Sequence, residues 1–172
     1  LNKNYIKFTV LVVLAFLFHK SSIVFVPIYF ISTIRLKPIN MLAIAIVFLL
    51  LMLSPLSGIL LSALAESTGD AKANLYASLS GDVNILYLIE VIVLIWLLLK
   101  YQKRFYETRY GTLIANGLFC YIIVNTMALT NASFIRFGWY YFFFLVLALP
   151  SIYTFIAEEK AKKLFKNIVF LG

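Results

Sequence analysis

The chain has 172 residues, of which 63% are hydrophobic and 13% charged, with 15 Lys and Arg against 7 Asp and Glu. An ordinary soluble domain is about 45–50% apolar and about 25% charged, so this balance excludes one and defines a polytopic membrane protein. The formal net charge of +8 does not signal nucleic acid: most basic residues sit in short clusters beside apolar runs, where they orient membrane segments, and no RNA- or DNA-binding motif is present.

The first apolar stretch, residues 8–34, is interrupted by Phe18-His19-Lys20-Ser21-Ser22-Ile23, and His19 is the only histidine. Its halves, Tyr5–Phe18 and Ile23–Ile34, are each short for a full crossing at about 1.5 Å per residue. They fit two tilted helices meeting at His19, a re-entrant pair, or one long helix broken at the polar knot and softened by Pro27. Four runs then approach the roughly 20 apolar residues that a crossing needs: Met41–Leu61, Val83–Leu99, Tyr110–Leu129 and Phe137–Ala157. Glu90 is the only charge inside them, and the run places it near the bilayer centre. Asp82 falls in the N-cap region of that span, where an acid favours the helix. Between the first and second of these four runs, Ala71–Leu79 suits a short interfacial helix. The alternating strands of a closed barrel are absent. The expected fold is therefore all-α, a polytopic membrane helical bundle of about six transmembrane or re-entrant helices, forming one integral-membrane domain over residues 1–172. The start at Leu1 and the apolar end at Asn167–Gly172, which reads as the opening turn of another span, point to a fragment of a longer protein, truncated at both ends.

Basic connectors alternate with the others. Arg35 with Lys37, then Lys100–Arg109, then the lysines after Ala157 are assigned to the cytoplasm. The loop with Glu66, Asp70 and Asp82, and the short connector ending at Arg136, fall outside. Counting back from Arg35, the two-helix reading puts His19 outside and returns Lys3 and Lys7 to the cytoplasm. His19 and Arg136 then share one face of the membrane.

Arg136 is the charge that this rule does not explain. Arg136 and Tyr140 are four apart and share a helical face. A guanidinium binds phosphate or carboxylate bidentately, and Trp139, Tyr140 and Tyr141 offer flat faces for sugar rings. The plainer reading is a snorkelling arginine beside an aromatic belt. His19 with Ser21 suits proton transfer or hydrogen bonding, or is a polar loop at the interface; Lys20 suits an anionic group or anchors the surface. Glu90 reads either as a pathway carboxylate or as a hydrogen-bonded group between helices. Cys120 lies alone in an apolar run, which excludes a disulfide framework or a thiolate metal site. With one histidine, no P-loop, no HExxH and no acidic sugar-nucleotide cluster, neither metal nor cofactor is expected.

Phe18-His19-Lys20-Ser21-Ser22 followed by Ile23–Phe30, with Pro27 and Tyr29, resembles the His-x-Ser block of the EpsG-type, Wzy-like polymerases of bacterial capsule and exopolysaccharide clusters. Arg136-Phe137-Gly138-Trp139-Tyr140-Tyr141 ahead of Leu149-Pro150 resembles that family's Arg-x-x-x-Tyr block, with Tyr141 where Phe is commoner. The two blocks come in the family's order, and this chain corresponds to the C-terminal part of a typical member. The resemblance implies a glycosyltransferase-type polymerase of the bacterial inner membrane, in exopolysaccharide, capsule or O-antigen biosynthesis. It would join oligosaccharide units carried on undecaprenyl diphosphate at the outer face, within membrane lipid and alongside other polysaccharide-export proteins. His19 would serve as general base and Arg136 would stabilise the diphosphate. Lys20, Ser21, Glu90, Trp139, Tyr140 and Tyr141 are the expected substrate contacts, although no family motif reaches Glu90. Two other functions fit the residues: a transporter or flippase subunit with Glu90 as an ion-coupled carboxylate, and a non-catalytic membrane scaffold.

Overall fold

The computed structural model describes residues 5–18, 26–59, 83–130 and 135–170, and among them there is no strand. Seven helices are used below: α1 (Tyr5–Phe18), α2 (Val26–Ile31), α3 (Pro38–Leu53), α4 (Ile85–Glu107), α5 (Gly111–Ala128), α6 (Ile135–Phe155) and α7 (Glu159–Phe170). The first six match the six expected segments one to one. By length and composition, α4, α5 and α6 can cross a membrane, while α1 and α3 are shorter apolar helices. The expected loop helix at Ala71–Leu79 lies outside the described residues.

Helix α5 is the centre of the bundle. It is 61% buried, against 28% and 33% for the matching 18-residue stretches of α4 and α6, and it packs on α2, α3, α4 and α6. A helix that is apolar all round is one that other helices surround. The polar groups go inward: Gln102, Asn116, Asn125 and Thr126 are buried. Large apolar side chains such as Leu86, Ile92, Val93 and Phe143 face out. That polarity suits lipid, where helices associate through packing and interhelical hydrogen bonds.

Three boundaries differ from the sequence reading, each for a local reason. The run Met41–Leu61 is interrupted, because α3 stops at Leu53 and Ser54 turns extended at φ −89°, ψ 158°. Pro55 follows and disfavours the helical region at the residue before it. A short turn at 56–59 comes next. Helix α4 does not end at Leu99. It continues through Lys100–Glu107, since Lys, Gln and Arg are good helix formers once the chain leaves the apolar layer. Its N-cap is Asn84, whose side chain accepts from the amides of Leu86 and Tyr87 at 3.0 and 3.4 Å; Asp82 is outside the described residues. At the C-terminus, residues 167–170 are the last turn of the amphipathic helix α7.

The opening stretch is resolved by one contact. Phe8 of α1 and Tyr29 of α2 stack with ring centroids 3.7 Å apart. In one continuous helix, 21 residues would separate them by about 31 Å, so α1 and α2 are two helices packed side by side and not parts of one. The end of α2 is then fixed to α5, where the Asn116 amide donates to the carbonyls of Ile31 and, at 2.8 Å, Ile34.

The two basic connectors meet at one end of the bundle. Arg35 donates to the Tyr106 carbonyl at 3.1 Å. The buried Gln102 amide lies 3.0 Å from the Leu36 carbonyl and 3.1 Å from the Tyr106 hydroxyl, which donates to Leu36 at 3.1 Å. At the other end, the Asn84 amide donates to the Leu129 carbonyl at 3.0 Å, joining the start of α4 to the end of α5. The positive-inside rule assigns the Arg35–Tyr106 end to the cytoplasm. With Cys120 replaced by Ser, a cysteine at position 139 is expected to react with an impermeant maleimide in intact cells. A cysteine at position 104 should react only after permeabilisation. The reverse pattern would invert the whole bundle.

Candidate functional site

At the end opposite the Arg35–Tyr106 contact, α4, α5 and α6 leave a cavity of about 240 Å³ lined by Tyr87, Tyr121, Asn125, Ile135, Gly138, Trp139 and Phe142. The contributions follow helical spacing: Tyr121 and Asn125 are four apart on α5, and Ile135, Gly138, Trp139 and Phe142 form one face of α6. Glu90 is tied to two residues of this wall. Its Oε1 accepts from the Tyr121 hydroxyl at 2.8 Å and from the Asn125 amide at 3.4 Å. Asn125 is only 4% exposed, so this polar group ties α4 to α5 as well as lining the cavity. Gly138 makes the close approach possible: a Cβ there would lie 2.6 Å from Asn125 Oδ1.

Glu90 is the sixth residue of the 23-residue α4, about 8 Å from the helix start at 1.5 Å per residue.

The expected site residues divide into groups. Trp139 lines the cavity and is 76% exposed. Tyr140 is half-buried one residue further on. Tyr141 points into the bundle and is 2% exposed, so its ring packs in the core. The backbone of Arg136 lies in the first turn of α6, beside Ile135 and about 100° around the helix from it; its side chain lies outside the description. His19, Lys20 and Ser21 also lie outside the described residues. The sequence reading missed Tyr121 and Asn125, although two polar residues four apart inside an apolar span are a legible sign of an inward polar face.

Chemically, the cavity offers aromatic faces and one amide, with the Glu90 carboxylate tethered to its Tyr121 and Asn125. Such a set stacks on sugar rings and hydrogen-bonds hydroxyls. Fold and cavity together define a polytopic α-helical membrane protein with a polar, aromatic site at one end. The chain matches the EpsG family over residues 1–171 and belongs to that family. Membership carries a general role in polysaccharide biosynthesis, of the polymerase type, on a lipid-linked saccharide. No curated protein matches the chain, and no solved structure does.

Proposed function

We propose that this protein polymerises oligosaccharide repeat units carried on undecaprenyl diphosphate, at the outer face of the bacterial cytoplasmic membrane. The observation that carries the reading is the cavity of about 240 Å³, with Trp139, Tyr121 and Asn125 in its wall and Arg136 on the first turn of its α6 side. In the reaction, the glycosidic bond between the anomeric carbon and the lipid diphosphate breaks. The hydroxyl of an incoming unit bonds to that carbon and its proton passes to His19. The diphosphate leaves with its charge held by Arg136. The first amides of α6 also favour an anion at that level. The glycosyl diphosphate donor supplies the driving force through its stable diphosphate leaving group, so no nucleotide takes part in this step. Glu90 accepts hydroxyl hydrogen bonds from the acceptor sugar, and Trp139 stacks on a ring.

Reconstitution of the full-length protein in vesicles with a lipid-diphosphate-linked repeat unit tests this directly, with the polymer ladder as readout. Glu90→Gln keeps an acceptor oxygen for Tyr121 and Asn125, so folding is expected to survive. The loss of one charged hydrogen bond should raise the KM for the acceptor about tenfold with a smaller change in kcat. Trp139→Ala, at an exposed position, should act the same way. Unchanged KM in both variants would remove the cavity from the site.

A further inference from the structure

A second groove lies at the opposite end of the bundle, between α4 and α7. Its volume is about 280 Å³, and Val93, Trp96, Leu97 and Lys100 of α4 face Leu164 and Phe165 of α7 across it. We infer that this groove holds an anionic phospholipid of the cytoplasmic leaflet, with an acyl chain along α4 and the phosphate at Lys100 and Arg104.

The argument begins with α4. Val93, Leu97, Lys100 and Arg104 are spaced by four, three and four residues, so they form one stripe along the helix. The stripe is apolar in the membrane layer and basic beyond it. Lys100 Nζ sits 4.7 Å above the Trp96 ring and 5.4 Å from that of Tyr101, which holds the ammonium at the groove mouth. An occupant must therefore be apolar below and negatively charged above.

Helix α7 completes the site. Ala161, Leu164, Phe165, Ile168 and Val169 recur at three- and four-residue intervals, while Lys160, Lys163 and Lys166 are exposed. This is the pattern of a helix lying in the interface with its basic face toward headgroups. Phe165 anchors it to α6 through Tyr153, with ring centroids 6.5 Å apart. Lys162 is already engaged, 3.7 Å from Glu159 and 5.1 Å over the Tyr153 ring. Leu164 remains 61% exposed, beside the groove.

Charge supports the same occupant. Arg35, Lys37, Lys100, Lys103, Arg104, Arg109, Lys160, Lys162, Lys163 and Lys166 gather at this end, against Glu107, Glu158 and Glu159. A zwitterionic lipid gains little from that field, whereas an anionic one is attracted by each cation near its phosphate. The groove is remote from the outer cavity, so its ligand does not depend on the polymerase reading.

Binding of dioleoylphosphatidylglycerol and dioleoylphosphatidylcholine to the purified full-length protein, followed by native mass spectrometry, tests the inference. Phosphatidylglycerol is expected to bind about tenfold or more tightly than phosphatidylcholine. Lys100→Gln with Arg104→Gln should abolish the preference. Leu164→Gln, which leaves every charge in place and alters an exposed side chain, should weaken binding of both lipids. Equal affinity for the two lipids in the unaltered protein would overturn the inference, as would unchanged binding in Leu164→Gln. Photocrosslinking from position 164 that captures another segment of the chain instead of lipid would also overturn it.

Discussion

Arg136→Ala in the full-length protein is expected to lower long-chain polysaccharide by about 10²–10³-fold, the usual loss when one preorganised charge-stabilising group is removed. The position explains the size of the effect. Residue 136 is in the first turn of α6, next to Ile135 and two residues before Gly138, both in the cavity wall. A departing diphosphate gains negative charge as its bond to sugar breaks, so a fixed cation there acts most strongly in the transition state. Arg136→Lys should recover only part of the activity, because an ammonium lacks the planar fork that grips two phosphate oxygens. His19→Ala should cost a comparable factor if its imidazole takes the acceptor proton, since general-base catalysis contributes about 10²–10⁴-fold. The measurement is the polysaccharide length profile in a deletion strain carrying each variant, with membrane levels of the protein matched. Full-length polymer from both Arg136→Lys and His19→Ala would take both residues out of the chemistry.

The comparison of sequence with structure has a physical pattern. Among the described residues, the order of the six apolar helices was legible because burial in lipid demands long apolar runs, and runs are local, whereas the amphipathic α7 carries no such run and was not foreseen. Sidedness was consistent because Arg35 and the Lys100–Arg109 segment do meet, through the Tyr106 carbonyl. Helix ends were harder. The break at Ser54-Pro55 was present in the sequence but hidden by an average over apolar residues, and the polar end of α4 was taken for a connector. The site was only half visible. Trp139 and Glu90 stood out by chemistry, whereas Tyr121 and Asn125 are uncharged and become notable only when α4 and α5 pack and bring them to one carboxylate. Tyr141 shows the opposite failure, since an aromatic residue next to a site reads the same in sequence whether it faces the cavity or the core.

Gly117→Leu is expected to be among the most damaging substitutions to the fold itself. Gly117 lies on α5 against the ring of Phe144 from α6, and any Cβ added there would overlap three carbons of that ring. Phe144 is buried, so the ring has little room to rotate away. Helices in a membrane are held together largely by close packing, and separating this pair weakens the interface at the centre of the bundle. Overpacking of a well-filled interior costs about 1–3 kcal/mol, and even Gly117→Ala should lower the thermal midpoint in detergent. Gly58 provides the control, because a Cβ there would meet nothing within 4 Å; Gly58→Ala should leave the midpoint nearly unchanged. Phe144→Ala combined with Gly117→Ala should be less damaging than the two single changes added together, since the collision disappears. The loss should also reach the cavity. Gly138 sits on the same α5–α6 interface, against Asn125, so helices forced apart at Gly117 would loosen the hydrogen bonds to Glu90. Acceptor KM should therefore rise in Gly117→Ala although that residue touches no substrate. An additive Gly117/Phe144 pair with an unaltered KM would show that this contact holds neither the fold nor the site.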